Sequence, residues 1–493
     1  MLLLNPSFSR KEKLGIFERY VPISVPIGLG FLIGYLYQQG KSVQFFDEQI
    51  SPFTEEKLDE YVKKMSKPYI IGLCCFTASF ARGLELSKMI KNKYPDTVII
   101  MGGIHPTVLP EETLKTEFVD IVVRGEGEIA VNLLYDAIKE KRNLSAIRGI
   151  SYKDEVGKLI HNPDVELIQN LDILPLFPYH IFDELQNKYN LSFLVTARGC
   201  PYNCIFCSQR LVSGKSYRYT SPERAVEDLG ILINKYNQKF VGFLDDNFIV
   251  NRNRTKRICE LIIKNGFNKK ATFSCQTRGD ALDDEILKYL KEAGFAEIGI
   301  GLETGSERLM KLIDKGETVK ENIEGVTLAK KYGFRVSGAF IIGLPTETKE
   351  ERMQAFLLAK SLNIDNVRFN NATPYPGTKL YDMVLKENRL NAGENWKNLS
   401  TCGTLVEGPF AKHEMAYVPT TCTKEELKKD ILKMNLHFWL RPSRILRIIF
   451  SGMVVDWFVL PRLWYLKPKE WYYLSALSFK VLLTLIKKVL LVK

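Results

Sequence analysis

Arg198-Gly-Cys-Pro-Tyr-Asn-Cys-Ile-Phe-Cys-Ser208 places three cysteines, Cys200, Cys204 and Cys207, in a C-x3-C-x2-C pattern within eight residues. The stretch follows a short apolar run, Phe193–Thr196, that reads as a strand, so the thiols belong to the loop leaving that strand. A structural zinc site takes four protein ligands, commonly as two separated pairs. A closed cubane iron–sulfur cluster also takes four thiolates. Three thiolates from one loop would leave one iron with an open coordination position, which is what a catalytic centre requires. The other cysteines of this region, Cys259 and Cys275, fall on a predicted helix and a predicted strand.

Outward from the loop the pattern is repetitive. Strands are predicted at Phe240–Leu244, Ala271–Cys275, Glu297–Gly301, Arg335–Ile342 and Asn366–Asn370, each separated from the next by an amphipathic helix. Six such repeats in about 190 residues are too few for a closed eight-stranded barrel of ~250 residues. Residues 189–385 are therefore expected to form a partial, open (β/α)6 TIM-type barrel. Residues 1–148 also alternate, with apolar strands at Met1–Asn5, Ser42–Phe46, Tyr69–Cys75, Thr97–Met101 and Val119–Val123 between helices. Short apolar strands separated by helices predict a parallel, doubly wound, Rossmann-like sheet, whose ligands bind at the C-terminal strand ends. Residues 149–188 read as a hairpin around Glu155-Val-Gly157 followed by a proline-spaced linker. Residues 386–493 read as a mostly helical C-terminal extension, so the chain is α/β overall.

Composition narrows the class. A chain of 493 residues, 45% hydrophobic and 26% charged, is globular and too long for one core. Met1-Leu-Leu-Leu-Asn-Pro lacks a basic region, so no signal peptide is expected. The cysteines number nine, and only one trio is clustered; a disulfide framework is not expected, and a reducing cytoplasm is. The net charge of +12 is concentrated in the last 58 residues, where ten Lys/Arg face two acidic residues. That local excess argues against a nucleic-acid partner. The same tail carries four of the five tryptophans and a basic amphipathic run, Phe479–Lys493. Two readings stand: peripheral contact with the inner membrane face, or a helical cap on the barrel mouth. No window is long and uncharged enough for a transmembrane span.

The cysteine stretch resembles the cluster loop of the radical S-adenosylmethionine (SAM) superfamily. The resemblance implies a [4Fe-4S] cluster on Cys200, Cys204 and Cys207, with SAM chelating the fourth iron and being cleaved to a 5′-deoxyadenosyl radical. It places Phe206 near the adenine. Gly242-Phe-Leu-Asp-Asp-Asn-Phe248 resembles the segment that meets the methionine amino group, which implies Asp245 and Asp246. Ile298-Gly-Ile-Gly-Leu-Glu-Thr-Gly-Ser306 resembles the segment whose acid, here Glu303, binds the ribose hydroxyls. Lys315 sits where relatives carry a cation for the SAM carboxylate, and Gly343, in Gly338-Ala-Phe-Ile-Ile-Gly-Leu-Pro345, on the strand beside the adenine.

An α/β module ahead of such a barrel resembles the cobalamin (B12)-binding class of the superfamily. That resemblance implies cobalamin contacts from Thr77 and Ser79, from Gly102 and Gly103, and from Glu126 within Arg124-Gly-Glu-Gly-Glu128. The Asp-x-His-x-x-Gly motif of many cobalamin domains is missing, and His105 is the only histidine before residue 150. It is expected at most at the corrin periphery or tail. Either cobalt is held without a protein histidine or the domain has lost cobalamin.

Together the resemblances imply a cobalamin-dependent methyltransferase acting on an unactivated carbon of a small hydrophobic, lipid-like or natural-product-type substrate. One SAM would methylate the cobalamin and a second would yield the radical. A flavodoxin or ferredoxin would supply electrons. Oxidative cyclisation or rearrangement uses the same parts. A methylthiotransferase would need a second cluster, for which the N-terminal half offers only Cys74-Cys75. A non-catalytic cobalamin carrier or sensor would leave the cysteine loop without a use.

Overall fold

In the computed structural model, residues 1–7, 23–185, 189–399 and 414–439 are described, together with Arg441. Two parallel sheets organise them. The first runs, in spatial order, Gln44–Asp47, Leu2–Asn5, Ile70–Cys74, Val98–Gly102 and Ile121–Val123, all parallel. Its central strands are almost entirely apolar: Leu2, Leu3, Leu4, Ile70, Ile71, Ile99, Ile100 and Met101 are all buried. A strand covered by helices on both faces has no solvent side, so it needs no alternation. The chain order reverses about Leu2–Asn5, and the loops at that reversal open a crevice.

The predicted hairpin is present, as Ile150–Lys153 and Leu159–His161, but it does not act as a linker. It adds two antiparallel edge strands to the first sheet, making seven. The first unit therefore extends past residue 148. Pairing through Val122–Ser151 and Val123–Ile150 gives the hairpin backbone partners that sequence spacing alone does not reveal.

The second sheet contains Phe193–Leu194, Phe240–Phe243, Thr272–Thr277, Phe295–Glu303, Arg335–Ile342 and Asn366–Asn371, parallel and in chain order. This is the open (β/α)6 arrangement. Its helices start on local signals. The hydroxyls of Ser221, Thr318 and Thr348 and the carboxylate of Asp283 accept from backbone N–H groups of the first turns. Thr318 with Glu321, and Thr348 with Glu351, close capping boxes. The edge strand Asn366–Asn371 is covered by the helix Lys424–Trp439: Asn435 donates to the Phe369 carbonyl at 3.2 Å, and Phe438 meets the Phe369 ring edge-on. Covering that edge satisfies a strand that would otherwise template pairing with another chain. The basic, tryptophan-rich run that follows, and with it both readings of the tail, lies outside the described residues. Among the described residues, no helix is long and apolar enough to cross a membrane.

Candidate active site between the two sheets

The cysteine loop is closed at its base. Ala197–Arg198 pairs antiparallel with Arg218–Tyr219, so residues 199–217 form a loop with joined ends. Gly199 adopts φ +85, and a Cβ there would lie 2.3 Å from the Ser216 carbonyl; only glycine fits. Ile205 anchors the middle: its N–H donates to the Ile313 carbonyl at 3.0 Å, and its carbonyl accepts from Leu380 at 2.9 Å. Its side chain is buried with Leu309, Ile313 and Leu380, with Phe206 packed against that cluster. The three thiols are then left facing a cavity of about 380 Å3. Burial pushes all three thiols up, Cys204 to about 12, so the metal-free thiols are protonated and binding iron displaces their protons.

The opposite walls come from the barrel strands and the loops that follow them: Asp246, Gln276, Arg278, Gly299, Gly301, Glu303, Lys315 and Ser337–Ala339. Glu303 has φ +57, an uncommon conformation for a residue with a side chain. It is held there by Lys315, whose Nζ lies 3.0 Å from Glu303 and 2.9 Å from Glu317 and also donates to the Gly301 carbonyl. Gly301 is needed for this contact, since a Cβ there would lie 2.3 Å from the Glu303 carboxylate. An ammonium has three donors, and these partners use them. Lys315 thus braces the Glu303 carboxylate while lining the cavity beside the cysteine loop.

The adjacent aspartates separate. Asp245 is buried; its carboxylate accepts from the backbone N–H of Thr196 at 2.5 Å and of Ala197 at 3.0 Å, and from the Thr196 hydroxyl at 2.6 Å. It faces away from the cavity and ties the second barrel strand to the first, contrary to its expected contact with SAM. Asp246 faces open space in the cavity, its carboxyl pushed up to about 6 by the surrounding protein and by Asp245. Gly343 is also off the cavity. Its N–H donates to Glu347 and its Cα packs on Leu427, while Ser337, Gly338 and Ala339 of the same strand form the wall.

A second cavity, about 620 Å3, opens at the crevice of the first sheet and meets the first one at Asp246 and Gln276, which line both. It runs between the helices Ile27–Gln38 and Glu128–Lys139, over Leu3, Gly72, Ile100 and Val123. Gly102 and Gly103 line it. Thr77 and Ser79 do not: both are buried in a 3-10 turn, and Ser79 is spent on the backbone of Phe76. The Phe76 ring, 63% exposed, faces the cavity instead. Glu126 lines the cavity with its carboxylate held by Arg218 at 2.8 and 2.9 Å and by Arg198 at 3.3 Å, so it is a structural tie as well as a wall.

His105 is fully buried, stacked on Phe80 with ring centroids 3.9 Å apart and edge-on to Trp396 at 5.4 Å. Neither ring nitrogen has a hydrogen-bond partner among the described residues, and burial lowers its pKa to about 4. It does not line the cavity; the sequence places it at the corrin periphery or tail at most. Among the described residues no histidine lines that cavity.

The residues fit the groups that the sequence implies. Three thiols on one loop, with polar strand ends opposite, suit a cluster bearing one open iron and a SAM molecule. Among the described residues no three His, Cys, Asp or Glu converge on a single ion, and a cubane asks for no such convergence, since each thiolate goes to its own iron. The larger crevice is long and mostly apolar with glycine walls, which suits a bulky flat cofactor with a tail. Sequence reasoning missed Tyr202, Arg278 and Glu317. The Arg278 guanidinium lies 3.6 Å over the Tyr202 ring of the cysteine loop and pairs with Asp280 at 2.7 Å and Glu317 at 3.6 Å. The signal was available: Thr277-Arg278 is the end of the third barrel strand, the one early strand end not singled out.

Fold and site together define an enzyme that sets a cluster-binding barrel against a cobalamin domain. Family models agree, the Radical SAM superfamily matching residues 194–359 and the B12 binding domain residues 15–134. An uncharacterized methyltransferase of Pyrococcus horikoshii is 34% identical over 432 residues, covering 86% of this chain and 90% of that one. An anaerobic magnesium-protoporphyrin IX monomethyl ester cyclase of Rubrivivax gelatinosus is 26% identical over 365 residues, 72% of this chain and 65% of that one. The structure of the radical SAM methyltransferase TsrM from Kitasatospora setae, with cobalamin and a [4Fe-4S] cluster bound, shares the fold. Its TM-score is 0.73 at 15% identity, over 92% of this chain and 96% of that one. The chain belongs to the radical SAM superfamily, in the class that carries a B12-binding domain. Its cofactors are a [4Fe-4S] cluster, SAM and cobalamin.

Proposed function

We propose that the protein transfers a methyl group to an unactivated carbon of a small, largely apolar molecule held between the two cavities. The observation that carries this is their junction: the cysteine-lined cavity and the apolar crevice share Asp246 and Gln276 as common walls. When bound, the cluster and SAM supply the radical that removes a hydrogen atom, and cobalamin supplies the methyl group. The chain's own part is placement. Cys200, Cys204 and Cys207 would hold the cluster, Phe206 would pack beside the adenine, and Glu303, braced by Lys315, would accept hydrogen bonds from ribose hydroxyls. Beside Asp246 and Gln276 the barrel presents Val195, Leu244 and Val212, so a substrate there meets apolar walls with two polar handles. Those walls also exclude water from the reacting carbon.

The test is anaerobic reconstitution. About four irons per chain, lost in Cys200→Ala, Cys204→Ala and Cys207→Ala, together with SAM-dependent 5′-deoxyadenosine, are expected. Label from methyl-labelled SAM appearing in a product would support methyl transfer. A product with no label would instead favour cyclisation, the activity named for the Rubrivivax gelatinosus relative.

A further inference from the structure

Two segments far apart in sequence meet as partners. Arg198, two residues before Cys200, lies 2.7 Å from Glu128 and 3.3 Å from Glu126. Arg218, across the short strand pair, holds the other side of Glu126 and donates to the carbonyls of Ile168 and Ser213. The four side chains are buried, with exposures from 2% to 15%, and their formal charges cancel. The Arg198 guanidinium also sits 5.2 Å from the centre of the Phe31 ring. Arg198, Glu126, Glu128 and Phe31 all line the larger crevice.

We infer that Arg198 is a positioning residue that couples occupancy of the cobalamin crevice to the placement of the cysteine loop, and so to SAM binding. A buried ion pair is weak evidence for stability, and its best-attested use is to fix one arrangement over another. Here the arrangement is the docking of the cysteine loop on the Gly125–Glu128 turn. A molecule filling the crevice covers the Arg198–Glu128 pair and removes its water. An unpaired charge then costs more, so the occupant binds the docked loop better than an undocked one. Gly199 passes the constraint on: it stands directly between Arg198 and Cys200, its backbone so close to the Ser216 carbonyl that no Cβ fits. Since coupling free energy is reciprocal, SAM binding on the docked loop must tighten the crevice by the same factor.

The experiment uses the full chain carrying its reconstituted cluster and does not depend on which substrate is methylated. Hydroxocobalamin is titrated with and without SAM, and SAM with and without hydroxocobalamin. In the wild type each ligand is expected to tighten the other about fivefold or more, by equal factors. Arg198→Met should bring both factors close to one while the iron content is kept, and Arg198→Lys should restore part of the coupling. If Arg198→Met does not fold, Glu128→Gln decides, because it removes the 2.7 Å pair and leaves Glu126 with Arg218. A wild type without coupling, or a folded Arg198→Met or Glu128→Gln variant with undiminished coupling, would overturn the inference. A reconstituted wild type that binds neither ligand would instead count against the cofactor assignment.

Discussion

His105→Phe separates a packing histidine from a cofactor ligand. In the folded chain the His105 ring lies between Phe80 and Trp396, both nitrogens without a hydrogen-bond partner among the described residues, and its pKa is lowered from 6.5 to about 4. The unfolded chain takes up its proton near pH 6.5, whereas the folded chain resists until about pH 4. Stability is therefore lost as the pH falls through that window. Linkage through this one group makes the loss about 2 kcal/mol between pH 7 and pH 5. His105→Phe removes the titration and keeps an aromatic ring against Phe80. Any overpacking it causes is a constant offset, so the difference in pH dependence is the diagnostic quantity. Urea denaturation of both proteins near pH 7 and near pH 5 measures it. The variant should be less acid-sensitive by about 2 kcal/mol, and it should bind hydroxocobalamin with an unchanged cobalt spectrum. Parallel pH dependences, or an altered cobalt spectrum, would refute the placement of His105.

Lys315→Met leaves Glu303 buried without its cation and Glu317 with only Arg278, 3.6 Å away; it should cost about 3–5 kcal/mol and weaken SAM binding, seen by thermal denaturation and SAM titration. The neighbouring aspartates should divide cleanly. Asp245→Ala orphans two buried N–H groups and should destabilise the barrel by about 2–5 kcal/mol, whereas Asp246→Ala should leave the melting temperature nearly unchanged and lower SAM or substrate affinity. Glu347 is pushed up to about 8 by burial, so it is protonated near neutrality. Because its folded pKa lies above the unfolded value of 4.5, the wild type loses stability as the pH rises from there toward 8. Glu347→Gln should remove that loss, and it would show as a smaller decline in melting temperature between pH 6 and pH 8.

Much of the fold was legible because each level of the sequence pointed the same way. Apolar strands at regular intervals, capping residues before the helices and turn glycines after them are local features, and local physics reads them. The three cysteines were legible for the same reason: a metal cluster held by one loop writes its spacing into consecutive residues. Phe206 and Glu303 were singled out by resemblance to family motifs, and both line the cysteine cavity.

What the sequence could not decide was which side chain of a pair turns inward, and which charge is already taken. Asp245 and Asp246 are chemically identical neighbours, and only the position of the first barrel strand assigns one to Thr196 and the other to the cavity. Lys315 reads as a cation for SAM, and only the tertiary structure shows Glu303, Glu317 and the Gly301 carbonyl around it. His105 follows a glycine turn that does line the crevice, yet its ring rotates into the apolar layer with Phe80 and Trp396, a residue almost three hundred positions away. Glu126 and Arg198 stand in two motifs that sequence treats as separate, and the tertiary structure makes them one ion-pair cluster. The sequence by itself determined the class of chemistry, through the resemblance of its cluster loop and motifs, because a cluster loop and parallel sheets are specified by short-range pattern. Tertiary structure alone decided the placement of each charge, because a buried charge must find its partner and that partner is usually distant along the chain.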